Sequence, residues 1–159
     1  MSPVFIITGP KGAGKTVLVN NLLNKLTLSV HHVQNAQHSL HNTFSNIQNL
    51  IASQEPIVIC GELIPSEVLL LLQKVEDVKT YYGYLKVQEQ DLLTKLEKLA
   101  ETEIKGILKW TTEVEEQVRK TKQHKILDTT GKTETQIADE IATWINWYSP
   151  KLATITATD

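Results

Sequence analysis

Short apolar runs alternate with stretches of helical periodicity along this 159-residue chain. The apolar runs are rich in β-branched and aromatic residues and are bounded by polar residues, glycine or proline, which is typical of buried strands. Gly83 weakens one of them, because glycine has no side chain to pack within a sheet. The predicted strands are residues 3–8, 28–33, 56–60, 78–85 and 125–128.

The intervening stretches have leucine, isoleucine and valine at helical spacing. Pro65 suits the first turn of a helix, and Thr133 with Gln136 forms a capping box at the start of the last one. Gly106 is expected to separate two helices, and Pro150 to stop the last. The predicted helices are residues 17–26, 44–51, 65–72 with Leu69 on the apolar face, 92–99, 108–122 and 133–147.

Strands that alternate with helices predict a mainly parallel sheet of about five strands with helices on both faces. Ligands of such α/β folds bind at the carboxyl ends of the strands. That edge would gather residues 9–16, the loop after Val33, the Gly61–Glu62 turn and the loop 128–132. The apolar face of the last helix, with Trp144, belongs to the core, whereas Trp147 is expected to be partly exposed at an interface.

The first predicted loop reads Gly-Pro-Lys-Gly-Ala-Gly-Lys-Thr from Gly9 to Thr16, a complete Walker A pattern. It lies between a strand and a helix, and this context favours a phosphate loop over a glycine-rich turn without a ligand. Backbone N–H groups of such a loop converge on phosphate oxygens at a helix N-terminus. Lys15 would reach the β- and γ-phosphates, and the Thr16 hydroxyl would bind Mg²⁺. The predicted nucleotide-binding residues here are Gly9, Lys11, Gly12, Ala13, Gly14, Lys15, Thr16 and Val17.

Composition agrees with an ordinary globular domain, with 41% hydrophobic and 21% charged residues. A net charge of −2 gives no case for nucleic acid as the main partner, and no apolar run is long enough to span a membrane. The first strand starts almost at once, so no signal peptide is expected. A lone Cys60, expected to be buried, agrees with the reducing cytoplasm. Arginine is scarce: of 16 basic residues, Arg119 alone is not lysine.

The chain resembles P-loop nucleoside monophosphate kinases, most of all the small thymidylate-kinase-like proteins of bacteriophages. The likeness extends over most of the chain and is strongest in the phosphate loop. It implies a P-loop NTPase three-layer sandwich, ATP and Mg²⁺, a nucleoside monophosphate acceptor and, for a phage protein, the host cytoplasm. It also implies one domain over 1–148 with a lid-like insert at 88–122 and a tail at 149–159. The segments that carry it are residues 5–10, 57–68, 91–98 and 126–131.

Several positions depart from the family pattern. Gly61 and Glu62 stand where the family has an Asp-Arg pair, and lysines such as Lys95 and Lys98, or Lys105 and Lys109, would stand in for its lid arginines. Lysine supplies charge without the two-point grip of arginine, so these losses affect phosphoryl transfer more than binding. Two hypotheses follow: a kinase with weakened catalysis, or a nucleotide-binding module that acts through a protein partner or a homodimer. A GTPase is disfavoured because no guanine-reading motif is present.

Three further groups have alternative roles. Glu62 would be the catalytic base beside Lys15, a ligand of Mg²⁺ through water, or a solvated turn carboxylate. Asp128 would contact the nucleotide base or cap a turn. The histidines would line an acceptor pocket, bind a metal or lie on the surface. The histidines concerned are His31, His32, His38 and His41.

Overall fold

The computed structural model describes residues 2–26, 28–33, 56–73 and 77–149. The strands are β1 Ser2–Thr8, β2 Ser29–Val33, β3 Ile57–Gly61, β4 Val78–Lys86 and β5 His124–Asp128. The helices are α1 Lys15–Lys25, α2 Pro65–Leu72, α3 Glu89–Lys95, α4 Glu101–Arg119 and α5 Glu134–Tyr148. These bounds confirm all five predicted strands.

The five strands form one sheet in the order β2-β3-β1-β4-β5, and every pair is parallel. The central strand β1 pairs with β3 on one side and with β4 on the other, so that Phe5 lies between Val58 and Tyr81. The chain thus reverses the direction in which it adds strands beside β1. The loops after β1 and β3 lie next to each other at this switch point, where α/β sheets bind ligands.

Alternate residues of β1 face opposite layers of helices. Phe5 and Ile7 pack with residues of α1 and α5, whereas Val4 and Ile6 pack with residues of α2 and α4. Two apolar cores therefore enclose the sheet, which confirms the predicted three-layer α/β P-loop NTPase fold. Gly83 does not interrupt β4, because the Trp144 ring of α5 and the Ile7 side chain fill the space that its side chain would take.

Two predictions were wrong. Gly106 does not break a helix: it lies inside α4, with no neighbouring atom near the place of a Cβ. The break falls instead between α3 and α4, at residues 96–100, where the Leu99 N–H donates to the Leu96 carbonyl at 2.9 Å. Leu69 does not lie on the buried face of α2 but is 57% exposed. The predicted helix at 44–51, His38, His41 and the tail after Ser149 lie outside the described residues.

The capping box predicted at the start of α5 is confirmed. The Thr133 hydroxyl accepts from the Gln136 N–H at 3.1 Å, and the Gln136 side chain accepts from the Thr133 N–H at 2.8 Å. We expect Thr133→Ala to lower the free energy of unfolding by about 1 kcal/mol, because the Gln136 N–H loses the hydroxyl that accepts its hydrogen bond. Urea denaturation of this variant against Thr112→Ala, an exposed helix-interior control, measures it, and equal stabilities would contradict the expectation.

Candidate phosphate-binding site

The phosphate loop joins β1 to α1 and has an open, left-handed backbone at two glycines. Gly12 has φ 90° and Gly14 has φ 85°, a region that side-chain-bearing residues rarely adopt. Helix α1 starts at Lys15, directly after Gly14, and no side chain caps its N-terminus. The first N–H groups of a helix have no partner within it. The loop therefore offers backbone donors and the positive end of a helix dipole to an anion.

Lys15 is held inside this loop and is only 8% exposed. Its ammonium group donates to the carbonyls of Gly9 at 2.8 Å and Pro10 at 2.7 Å. Burial lowers the pKa of Lys15 to about 8, and the nearby carboxylate of Glu62 opposes that shift. The side chain thus stays largely cationic at neutral pH and lies where a bound phosphate would relieve its desolvation.

The Thr8 hydroxyl couples the ends of β1 and β3. It donates to the Leu63 carbonyl at 2.7 Å and accepts from the Leu63 N–H at 3.0 Å, and Thr8 is fully buried. Because Gly9 follows Thr8 and Glu62 precedes Leu63, this pair of hydrogen bonds sets the phosphate loop and Glu62 in fixed relative positions. Glu62 itself is exposed at the mouth of the site.

Gly61 ends β3, close to the neighbouring strand β2. A Cβ at this position would lie 2.4 Å from the Val33 carbonyl oxygen, because β2 approaches β3 closely where the two strands end. The backbone here leaves no room for the aspartate that the resemblance leads one to expect. A carboxylate at this edge of the sheet is instead supplied one residue later, by Glu62.

A cleft of about 310 Å³ lies directly over the loop and is called the phosphate cleft here. Thr16 lies in the first turn of α1 and lines this cleft together with His32 and Glu62. Its hydroxyl is the kind of hard oxygen ligand that Mg²⁺ takes alongside phosphate oxygens and water. Among the described residues no group of three His, Cys, Asp or Glu side chains could hold a metal. The residues that line the phosphate cleft are Lys11, Gly12, Gly14, Lys15, Thr16, Val17, His32, Val33 and Glu62.

A second cleft, of about 260 Å³, lies on the α5 side of the loop and is called the Lys95 cleft. The Lys95 ammonium, at the end of α3, donates to the Gly12 carbonyl at 2.9 Å. Its aliphatic stem covers the face of Gly12. One of the four lysines proposed to replace lid arginines is thus placed on the phosphate loop. This cleft is lined by Ala13, Gly14, Val17, Leu18, Lys95, Thr129, Lys132, Glu134 and Ile137.

A third cleft, of about 380 Å³, opens on the α4 side and is called the Trp110 cleft. Lys11 and Glu62 line both this cleft and the phosphate cleft, so the two adjoin. The contribution of α4 to this cleft was not predicted, although Glu103, Ile107 and Trp110 recur at helical spacing. Periodicity shows that such residues share a face but not what the face adjoins. The lining residues are Lys11, Glu62, Glu103, Gly106, Ile107 and Trp110.

Other predicted residues have structural surroundings. The Asp128 carboxylate accepts from the Thr130 N–H at 2.9 Å and from the Gln88 amide at 2.7 Å, and these bonds lower its pKa. It thus closes the turn after β5, and its contact with a nucleotide stays a prediction. Cys60 is fully buried with a pKa raised to about 12 by burial, which agrees with an inert core thiol.

The two histidines of β2, His31 and His32, have different surroundings. Burial lowers the pKa of His31, whose Nε2 is buried without a hydrogen-bond partner in the described part of the chain. His32 lines the phosphate cleft, and its pKa is lowered by burial and by the charge of Lys15. Both rings are therefore mainly neutral at neutral pH, so neither adds a fixed positive charge to the site.

The Lys95 contact gives a testable effect. We expect Lys95→Ala to weaken ATP binding by about three- to tenfold, because the variant loses a cation beside the loop and the support of the Gly12 carbonyl. Isothermal titration calorimetry with ATP measures this, and Lys98→Ala is the matched control, since Lys98 is exposed and lines none of the three clefts. Unchanged or tighter binding by Lys95→Ala would contradict it.

No protein-family model matches this sequence, and no curated protein matches it. Solved structures match along nearly the whole chain. Shikimate kinase from Acinetobacter baumannii, in complex with shikimate, is 14% identical with a TM-score of 0.60 and covers 96% of each chain. YorR from Bacillus subtilis, in complex with phosphorylated GDP, is 16% identical with a TM-score of 0.63 over 92% of this chain and 97% of that one. Thymidylate kinase from Candida albicans is 13% identical with a TM-score of 0.61 over 93% and 92%.

These likenesses show the fold. The chain has the α/β fold of P-loop kinases, and the names of these neighbours include both a shikimate kinase and a thymidylate kinase. The fold therefore does not choose among acceptors. No helix within the described residues is long and apolar enough to cross a membrane.

Proposed function

We propose that this protein is an ATP-dependent phosphotransferase that moves the γ-phosphate of ATP to a hydroxyl group of a small acceptor. The observation that carries the proposal is the placement of a phosphate loop, with Lys15 buried in it, between two clefts. The Lys95 cleft lies on one side of the loop and the Trp110 cleft on the other. A donor and an acceptor could thus approach the same phosphate from opposite ends, as in-line transfer requires.

The chain's own residues have distinct roles in this proposal. Lys15 and the N–H groups of the loop bind the β- and γ-phosphates, and the Lys95 cleft takes the nucleoside part of ATP. The Thr16 hydroxyl would hold Mg²⁺, which neutralises charge on the phosphates when bound. Glu62 lies where the phosphate cleft joins the Trp110 cleft, which suits a base for the acceptor hydroxyl.

In the proposed transfer step the γ-phosphoryl group passes directly from ATP to the acceptor hydroxyl. The acceptor oxygen forms a bond to the γ-phosphorus while the bond from that phosphorus to the β–γ bridging oxygen breaks. ADP leaves with the electron pair of the broken bond. The proton of the acceptor hydroxyl passes to the Glu62 carboxylate and then to solvent. Most of the acceleration in such reactions comes from positioning and positive charge, which Lys15 and Lys11 supply here.

The sequence resemblance favours a finer assignment, a nucleoside monophosphate kinase of the thymidylate-kinase-like phage type that works in the host cytoplasm. Its support is the set of matching segments, together with a thymidylate kinase among the structural neighbours. ADP release from Mg-ATP, measured against all common nucleoside monophosphates and a panel of sugars and polyols, tests both levels. Turnover with any acceptor supports the phosphotransferase, and turnover with a monophosphate supports the finer assignment. No turnover with any acceptor would overturn the kinase.

A nucleotide-binding module that acts through a protein partner is the second candidate. Arg119 forms its ion pair with Glu115 at 3.2 Å on the surface of α4, and it lines none of the three clefts. The described site therefore lacks the arginines that stabilise a transferring phosphate. Tight calorimetric binding of ATP without ADP release would favour the module. Absence of ATP binding would overturn both candidates.

The role of Glu62 can be tested by itself. We expect Glu62→Gln to reduce turnover about tenfold while ATP affinity stays close to that of the wild type. The effect is modest because the transition state of phosphoryl transfer is loose and needs little proton removal. Parallel measurements of kcat and of ATP affinity by calorimetry check this, with Glu67→Gln, on the neighbouring helix α2, as control. Unchanged turnover would exclude Glu62 as the base.

A further inference from the structure

The charges that line the Trp110 cleft are unsuited to a phosphorylated acceptor. Its described lining includes two carboxylates, from Glu62 and Glu103, and one cation, Lys11. Neither carboxylate forms an ion pair with a lysine or arginine of the described residues. These three described residues thus have a net formal charge of −1, and Lys11 also faces the phosphate cleft, where ATP would engage it. A second dianion placed here would meet net repulsion.

The lysines of the nearby described helices α3 and α4 do not compensate this charge. Lys95 is bound to the phosphate loop on the opposite side, and Lys105 forms an ion pair with Glu101 at 3.8 Å on the exposed surface. Lys109 and Lys98 are exposed and do not line the cleft. Between Lys25 and Glu55 the sequence has no lysine, arginine, aspartate or glutamate, so this part of the chain brings no fixed cation either.

The remaining lining suits a different ligand. Trp110 and Ile107 offer an apolar wall, and an aromatic face attracts an ammonium group. Ionised carboxylates only accept hydrogen bonds, so Glu62 and Glu103 would pair with hydroxyl or ammonium donors. We infer that the acceptor of this protein is an alcohol that carries no phosphate or carboxylate, and that an amino group on it increases affinity. This inference rests on the proposed phosphate transfer to a hydroxyl in the Trp110 cleft, and it disfavours a nucleoside monophosphate.

Ligand binding in this cleft can be followed through the indole of Trp110, which lines it. The chain has three tryptophans, so the spectrum contains few indole signals. The indole N–H signal of Trp110 can be followed by ¹⁵N NMR and assigned with Trp110→Phe, while Trp147, 78% exposed, reports unspecific effects. The probes are matched pairs: glucosamine against glucose 6-phosphate, and thymidine against dTMP. Inorganic phosphate is the control for anions that bind only at the loop. The measurement needs no catalysis, so it is independent of the ADP-release assay that tests the proposed function.

We expect the Trp110 signal to titrate with a dissociation constant about tenfold or more lower for glucosamine than for glucose 6-phosphate, and lower for thymidine than for dTMP. Glu103→Lys should abolish this preference, whereas Glu113→Lys, at an exposed position of the same helix outside the cleft, should leave it unchanged. Any other order, including tighter binding of the phosphorylated partner or no shift of Trp110 with any probe, would overturn the inference.

Discussion

Lys15→Ala should bind ATP about 10²-fold more weakly than the wild type and should lose at least about 10³-fold in any turnover. The ammonium is the buried cation of the phosphate loop, and charge-assisted hydrogen bonds to phosphate are among the strongest polar contacts in proteins. In the transition state of phosphoryl transfer, the Lys15 ammonium also stabilises the negative charge that develops on the phosphates. Its loss should therefore reduce turnover more than it reduces binding. Calorimetry with ATP and an ADP-release assay measure the two effects.

Lys25→Ala is the matched control for this experiment. Lys25 ends the same helix and forms a partly exposed ion pair with Asp139, away from the loop. We expect ATP affinity of the control to equal that of the wild type. The Lys15→Ala variant should keep its fold, because the substitution removes a charge whose desolvation is unfavourable. If a folded Lys15→Ala protein bound ATP as tightly as Lys25→Ala, the loop would not be a nucleotide site.

Gly61→Ala should lower the free energy of unfolding by about 3 kcal/mol or more. The added methyl carbon would lie 2.4 Å from the Val33 carbonyl oxygen, a backbone atom that can move only if β2 moves with it. Overpacking of this kind strains the paired strands at the edge that carries the site. Urea denaturation followed by circular dichroism measures the change, and the variant should also bind ATP more weakly because Glu62 and the loop lose their alignment.

Gly106→Ala is the opposite case of the same substitution. Gly106 lies within α4 with no atom near the position of an added Cβ, so alanine should raise stability by about 0.5–1 kcal/mol through helix propensity. Comparison of the two variants thus distinguishes the steric clash at Gly61 from a general effect of replacing glycine by alanine. Equal stability of Gly61→Ala and the wild type would mean that β2 can withdraw from β3 without penalty.

The strands β1 and β3 were predictable because each is a compact apolar run, and the helical periodicity after each of them predicted α1 and α2. The break after Lys95 was not, since residues 96–100 contain neither glycine nor proline. The helix break predicted at Gly106 was wrong because an exposed glycine destabilises a helix by only about 1 kcal/mol relative to alanine. The packing of Val114 and Val118 of the same helix outweighs that cost. Leu69 was misplaced because all four residues from Leu69 to Leu72 are apolar, so periodicity cannot select the buried ones.

The part of the site that a continuous sequence motif encodes was predictable. The residues from Gly9 to Val17 specify the phosphate loop locally, and the strand order brings Glu62 beside it. The face of Trp110, by contrast, comes from a helix far away in the sequence, and the contact of Lys95 with Gly12 depends on how α3 packs. Such pairings arise from tertiary structure, which no local pattern specifies.

The central position of β1 has a consequence for how the protein folds during its synthesis. Both neighbours of this first strand, β3 and β4, are synthesised much later, since Phe5 pairs with Val58 and Tyr81. In a nascent chain the apolar strand β1 therefore stays unpaired on at least one side until β4 has left the ribosome. Long-range pairing of this kind is slow. A chain cut short before Val78 would leave one edge of β1 open to other chains, so truncated forms should aggregate rather than fold.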